Sequence, residues 1–260
     1  MLRLQTTIES KQPPLLLGDP YFELPAAVVA QAADKSAPPT RSIDLTQQSF
    51  PPLPGTATEI NTILPLLQPR FPGAKSLMRN QATKSALEQV RRPQLLHLAT
   101  HGFFEDPTPP QASSTTTLSE NPLLFSGLLL AGFKLKQSKA TDNGILTALE
   151  VTGMDLLGTK LVVLSACNTG VGQLSTGEGV YGLRRAFVIA GAESQLFSLW
   201  RIDDGFTPKL MAAYYQKLLA ENGRSDALRQ TQLELLRSQD YSHPYYWASF
   251  IASGSWTPLK

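Results

Sequence analysis

Two short segments carry the residues that could do chemistry. Leu95-Leu96-His97-Leu98-Ala99-Thr100-His101-Gly102 is an apolar run ending at an imidazole followed by glycine. Leu161-Val162-Val163-Leu164-Ser165-Ala166-Cys167-Asn168-Thr169-Gly170 is an apolar run ending at the only cysteine of the chain. If both runs are neighbouring parallel strands, His101 and Cys167 emerge at the same edge of a sheet. A thiol of ordinary acidity is only a few per cent thiolate at neutral pH, and an adjacent imidazole can take its proton and later protonate a leaving amine. Gly102 lets the backbone approach a substrate closely, and its N–H together with that of Cys167 would face a developing oxyanion. Each residue also has a plainer reading in isolation: the thiol as a small buried side chain, the imidazole as a turn residue.

The elements that must position this pair read as alternating strands and helices. Leu15-Leu16-Leu17 with Gly18-Asp19-Pro20 is a buried strand with a sharp stop, and residues 24–56 read as an irregular Ala/Pro/Thr-rich loop. A helix capped by Thr58 places Ile60, Ile63, Leu64 and Leu67 on one face, with Pro65 against it. Ala82–Arg91 reads as a short helix capped by Thr83, and Thr147–Val151 as another. The stretches 104–122 and 134–143 are polar loops, and Leu128-Leu129-Leu130 is a further apolar run. Gly170–Gly179 is a Gly-rich turn entering a helix that reaches Ala190, and residues 194–200 form the next strand. Thr207 caps an amphipathic helix that stops at Gly223, and Ser225 or Asp226 caps one more, through Arg237. The alternation predicts a three-layer α/β/α sandwich around a mostly parallel sheet.

Composition excludes several classes. The chain has 260 residues, 42% of them hydrophobic, and a net charge of +2 without basic blocks, so no nucleic-acid partner is expected. One cysteine precludes an internal disulfide framework and fits a reducing, cytoplasmic setting. No secretory signal or membrane-length apolar stretch is visible, so no membrane partner is expected. No metal-ligand spacing, phosphate loop, dinucleotide fingerprint or G-x-S-x-G elbow is found, so no cofactor is expected. His97, inside the apolar run, reads as structural, and His243 before Pro244 as a turn or cap residue.

The ordered motifs resemble those of the CHAT-domain family, caspase- and separase-related cysteine peptidases found in bacteria, usually behind tetratricopeptide repeats. His97–Gly102 and Leu164–Gly170 resemble its two hallmark segments. Asn121-Pro122-Leu123-Leu124, Gly144–Ala148, Gly177-Glu178-Gly179-Val180, Gly182–Phe187, Ser198-Leu199-Trp200 with Asp203-Asp204, and His243–Phe250 follow in family order. The resemblance spans residues 14–258, after a tail at 1–13. It implies a caspase-like sandwich in which His101 is the general base or ion-pair partner and Cys167 the nucleophile of peptide-bond hydrolysis through an acyl-enzyme. It further implies a protein or peptide substrate, with Asp203 and Asp204 as candidates for holding a basic side chain or, alternatively, as a turn or capping pair. The expectation is a domain lacking its upstream part and the repeats, which favours a homodimer or a partner chain. The alternative reading is a catalytically silent or regulated protein-interaction module.

Overall fold

The computed structural model describes residues 8–22, 50–104, 121–133, 143–168, 178–200 and 202–259. Its strands are β1 (Leu15–Pro20), β2 (Lys75–Arg79), β3 (Leu95–Phe104), β4 (Ser126–Leu129), β5 (Ile145–Thr147), β6 (Leu161–Asn168), β7 (Ser194–Ser198) and β8 (Phe250–Gly254). They form one eight-stranded sheet in the order β2-β1-β3-β6-β7-β8, with β4 paired to β3 and β5 to β4. The four pairings among β2, β1, β3, β6 and β7 are parallel. The three involving β4, β5 and β8 are antiparallel. This is the mostly parallel α/β architecture expected from the strand–helix alternation.

Strand alternation splits the core into two layers. On one face Leu15, Leu17, Leu96, Leu98, Val162 and Leu164 pack with Val151, Ala186 and Phe187. On the other Leu16, Leu95, Ala99, Leu161 and Val163 pack with Ile60, Ile63, Leu210, Met211 and Tyr215. Burial on both faces is why these strands read as unbroken apolar runs rather than as alternating ones. The helices are α1 (Pro54–Leu67), α2 (Lys84–Glu88), α3 (Ala148–Thr152), α4 (Glu178–Ile189), α5 (Thr207–Leu219), α6 (Arg224–Leu236) and α7 (Pro244–Trp247). Helices α1 and α5 cover the face shared with His97, and α3 and α4 the opposite one. Among the described residues no helix is long and apolar enough to cross a membrane.

The helix boundaries show where local signals succeeded and where they gave way to distant contacts. Thr83 caps α2 by accepting from Ala86 N, and Thr147 caps α3 in a capping box with Glu150. His243 caps α7 through Nδ1. Helix α1, however, begins at Pro54, which places Thr58 inside it; its first turn is capped across space by Asp204, whose Oδ2 accepts from Gly55 N at 2.7 Å. Pro65 is tolerated on the solvent side of the last turn. Thr207 is the first residue of α5 rather than its cap, because Asp203 Oδ1 accepts from Phe206 N and the Asp203 carbonyl accepts from Thr207 N. After α5 it is Glu221, not Gly223, that turns left-handed, at φ 64°. Gly223 precedes α6 in place of Ser225 or Asp226, where a Cβ would stand 2.6 Å from the Trp256 carbonyl.

Candidate functional site

Strands β3 and β6 are adjacent and parallel, and their register pairs His101 with Cys167. The pair lies near the carboxyl edge of the sheet, where open α/β sheets place their functional crevices. Neither strand stops at its reactive residue: β3 continues through Phe104 and β6 through Asn168. The extension of β3 is held by β4, with Gly102 opposite Leu128 and Gly102 also opposite Asn168 of β6. Gly102 therefore sits in a ladder rather than in a turn. The hairpin partner fits because Gly127 carries no side chain; a Cβ there would lie 2.6 Å from the Phe103 ring. Cys167 is described through its backbone, and its side chain lies outside the described residues, as do the Gly-rich turn at 169–177, the loops at 105–120 and 134–142, and Arg201.

His101 is 1% exposed and is held by a wall that its own strand does not supply. Its Nε2 lies 2.7 Å from the Pro51 carbonyl. A carbonyl only accepts, so Nε2 carries the proton of the neutral ring and Nδ1 is left as the basic nitrogen. The rings of Phe22 and Phe50 flank the imidazole at centroid distances of 5.4 and 5.5 Å. Both belong to a small aromatic cluster with Phe103, Leu129 and Phe133 above the carboxyl edge.

The wall residues lead directly into α1, and α1 is fixed by the aspartate pair. A Cβ on Gly55 would stand 1.9 Å from the Asp204 carbonyl, so the two segments touch backbone to backbone. Burial raises the Asp204 carboxyl above the ordinary aspartate range; the Gly55 N–H pulls it back, Asp203 pushes it up and His101 pulls it down. Exposed Asp203, by contrast, spends one carboxylate oxygen on the start of α5. The structure brings Asp204 to the His101 wall and leaves Asp203 at its outer side.

Behind the paired residues lies a buried polar network. His97 is 0% exposed, with Nδ1 3.0 Å from the Tyr215 hydroxyl and Nε2 3.0 Å from Glu59 Oε1. The second contact has the distance of an ion pair without the angle of a hydrogen bond. Glu59 Oε2 accepts from Ser165 Oγ at 3.0 Å. The network joins α1, β3, β6 and α5, and it accounts for the structural reading of His97. Burial drives the Tyr215 hydroxyl far above its ordinary pKa, aided by Tyr214 and Glu59, so it remains a neutral donor.

Sequence reasoning missed Phe22, Phe50 and Pro51, which lie far from the motifs along the chain. Glu59 did leave a signal, since a carboxylate stands beside Ile60 in the apolar stripe of α1. Among the described residues no group of three His, Cys, Asp or Glu side chains could hold a metal ion.

Comparison with known proteins agrees with the motif order. The chain is 28% identical over 219 residues to tetratricopeptide repeat protein 28 of Homo sapiens, which covers 78% of this chain and 8% of that protein. The same protein of Mus musculus is 27% identical over 217 residues, covering 78% of this chain and 9% of its own length. The chain thus spans less than a tenth of the length of these curated relatives. A family model described as the CHAT domain matches residues 2–255, nearly the whole chain, and the chain belongs to the CHAT-domain family.

Proposed function

We propose that this chain is a cysteine endopeptidase in which Cys167 is the nucleophile and His101 the general base. The observation that carries the reading is the register of β3 and β6, which makes His101 and Cys167 direct neighbours on adjacent strands. The Pro51 carbonyl on Nε2 supports it by leaving Nδ1 to accept a proton. In the proposed reaction Nδ1 takes the thiol proton as sulfur bonds to the peptide carbonyl carbon. The C–N bond then breaks and the same proton leaves with the amine. Water attacks the resulting thioester through the same base, releasing the acid and restoring the thiol. The Cys167 N–H is the proposed oxyanion donor, a contribution typically worth about 10²–10³ in rate, whereas Gly102, expected to supply a second, is paired in the ladder between β4 and β6. Asp203 and Asp204 are the proposed acidic rim for a basic substrate side chain.

A panel of fluorogenic peptides tests this, with Cys167→Ala and His101→Ala as controls. The expected result is turnover in the wild-type chain, loss in both variants with their circular dichroism unchanged, and alkylation of Cys167 by iodoacetamide slowed in His101→Ala. Turnover that survives Cys167→Ala refutes the reading. A second reading, a protein-binding module without turnover, is favoured by one observation: His101 is 1% exposed beneath Phe22 and Phe50. It predicts partner capture undiminished in the double variant and no cleavage of the captured protein.

A further inference from the structure

On the opposite face of the sheet from His97, at the same carboxyl edge, lies a small open cleft of about 50 Å³. Leu164, Ala166 and Phe197 give it an apolar floor, and Gly102, the buried Ser126 and Arg184 of α4 complete its lining. Two of these groups carry unused polarity. The Ser126 hydroxyl is buried, in a residue 1% exposed, and makes no hydrogen bond among the described residues. Gly182 packs against it so closely that a Cβ there would lie 2.8 Å from Oγ, so α4 holds the hydroxyl in place. The half-buried Arg184 guanidinium stacks on the Phe197 ring at 5.2 Å and donates through Nη2 to Ser253 Oγ at 2.8 Å. A guanidinium has five N–H donors, and no carboxylate among the described residues pairs with this one. Buried polar groups in folded proteins are rarely left in this state, and a half-buried cation on an aromatic floor is a ready acceptor for a planar anion.

The geometry points to a subsite for an acidic side chain of a bound polypeptide, with Arg184 receiving the carboxylate and Ser126 donating the supporting hydrogen bond. The inference rests on the peptidase reading for its occupant, because the cleft reaches Gly102, the residue next to His101 on β3. A peptide held there need only cross the edge of the sheet to set a neighbouring residue in the cleft. The apolar floor suits the methylenes of glutamate better than a free inorganic anion.

The test uses the full chain carrying Cys167→Ala, so that binding is read without turnover. Fluorescein-labelled octapeptide pools with Glu fixed at one position are compared with matched Gln pools by fluorescence polarisation. One position is expected to favour Glu by about tenfold to a hundredfold, the worth of one charge-assisted hydrogen bond. Adding Arg184→Gln is expected to erase that preference, Arg184→Glu to turn it toward Lys, and Ser126→Ala to reduce it; thermal melts verify that each variant is folded. Equal binding of Glu and Gln pools, no binding of any pool, discrimination that persists in Arg184→Gln, or competition by free glutarate at the concentration of the peptide overturns the subsite. Turnover of the same pools by the wild-type chain is read separately. A Glu preference in binding without turnover supports the subsite and sinks the peptidase, whereas turnover without a Glu preference does the reverse.

Discussion

Replacing Asp204 separates two roles that its carboxylate plays at once. It caps α1 through Gly55 N, and it carries a charge that burial opposes. A carboxyl held above its unfolded pKa makes the folded state relatively more stable below the ordinary aspartate value of about 3.9, and that advantage is lost as pH rises toward the folded value. At neutral pH the native chain therefore bears the cost of an ionised, partly buried Asp204. Asp204→Asn removes the charge while its side-chain carbonyl can still accept from Gly55. The expected outcome at pH 7 is stability equal to or above that of the native chain, with the gain shrinking as pH falls through the raised folded value and gone below the ordinary aspartate value of about 3.9. Asp204→Ala also removes the cap. Losing a cap costs about 0.5–2 kcal/mol, which for a domain of this size lowers the melting temperature by about 2–4 °C per kcal/mol. The alanine variant should be less stable than the asparagine variant by a similar amount at every pH, and its deficit against the native chain should be clearest near pH 3, where no charge relief offsets the missing acceptor. Thermal melts by circular dichroism from pH 3 to 8 read all three chains. An Asn variant less stable than the native chain at pH 7 but equal at pH 3 would refute the reasoning, since it would mean that the fold favours the charged carboxylate.

Two further outcomes follow from buried polar contacts. Glu59→Ala takes the acceptor from the Ser165 hydroxyl and the facing carboxylate from His97 Nε2 in a fully buried network, and should cost about 3–5 kcal/mol. Glu59→Gln should cost less, so urea melts ranking Ala as no worse than Gln would show that the network is not what holds α1 to the sheet. Glu150 is pushed up by burial, but hydrogen bonds from Lys84 and from Thr147, with the Lys84 charge, outweigh this and hold its carboxyl below the usual range. Glu150→Gln should destabilise the chain above the ordinary glutamate pKa, and that difference should fade as acid protonates the native carboxylate; a deficit unchanged down to pH 2 would count against it.

The legible part of the molecule was the part buried on two faces. Strands β1, β3 and β6 read as apolar runs because helices cover both sides of them. Reading β3 and β6 as parallel neighbours was enough to bring His101 and Cys167 to one edge. Strands β2 and β8 lie at the ends of the sheet with half-exposed residues such as Ser76 and Ser253, so no apolar run marked them. The β4–β5 hairpin is short, and only its Leu128-Leu129 core was visible. Local caps at Thr83, Thr147 and His243 were readable because donor and acceptor lie within three residues. The wall of the site was not readable for the opposite reason: Pro51 meets His101, and Gly55 meets Asp204, across sequence distances of 50 and 149 residues.

The longest of those contacts bears on how the protein comes into being. A nascent chain emerges N-terminus first, at about 5–20 residues per second. His101 and Cys167 have both been synthesised before Asp204 exists to cap α1 and steady the segment that carries Pro51. For some seconds the ribosome therefore holds a chain with His101 and Cys167 made and the Pro51 wall beside His101 unclamped. Contacts of such high sequence separation close late, after the local elements have formed. Closure of the wall around His101 is thus tied to the arrival of the Asp204 segment ahead of α5, and a product truncated before it would lack the Gly55–Asp204 clamp.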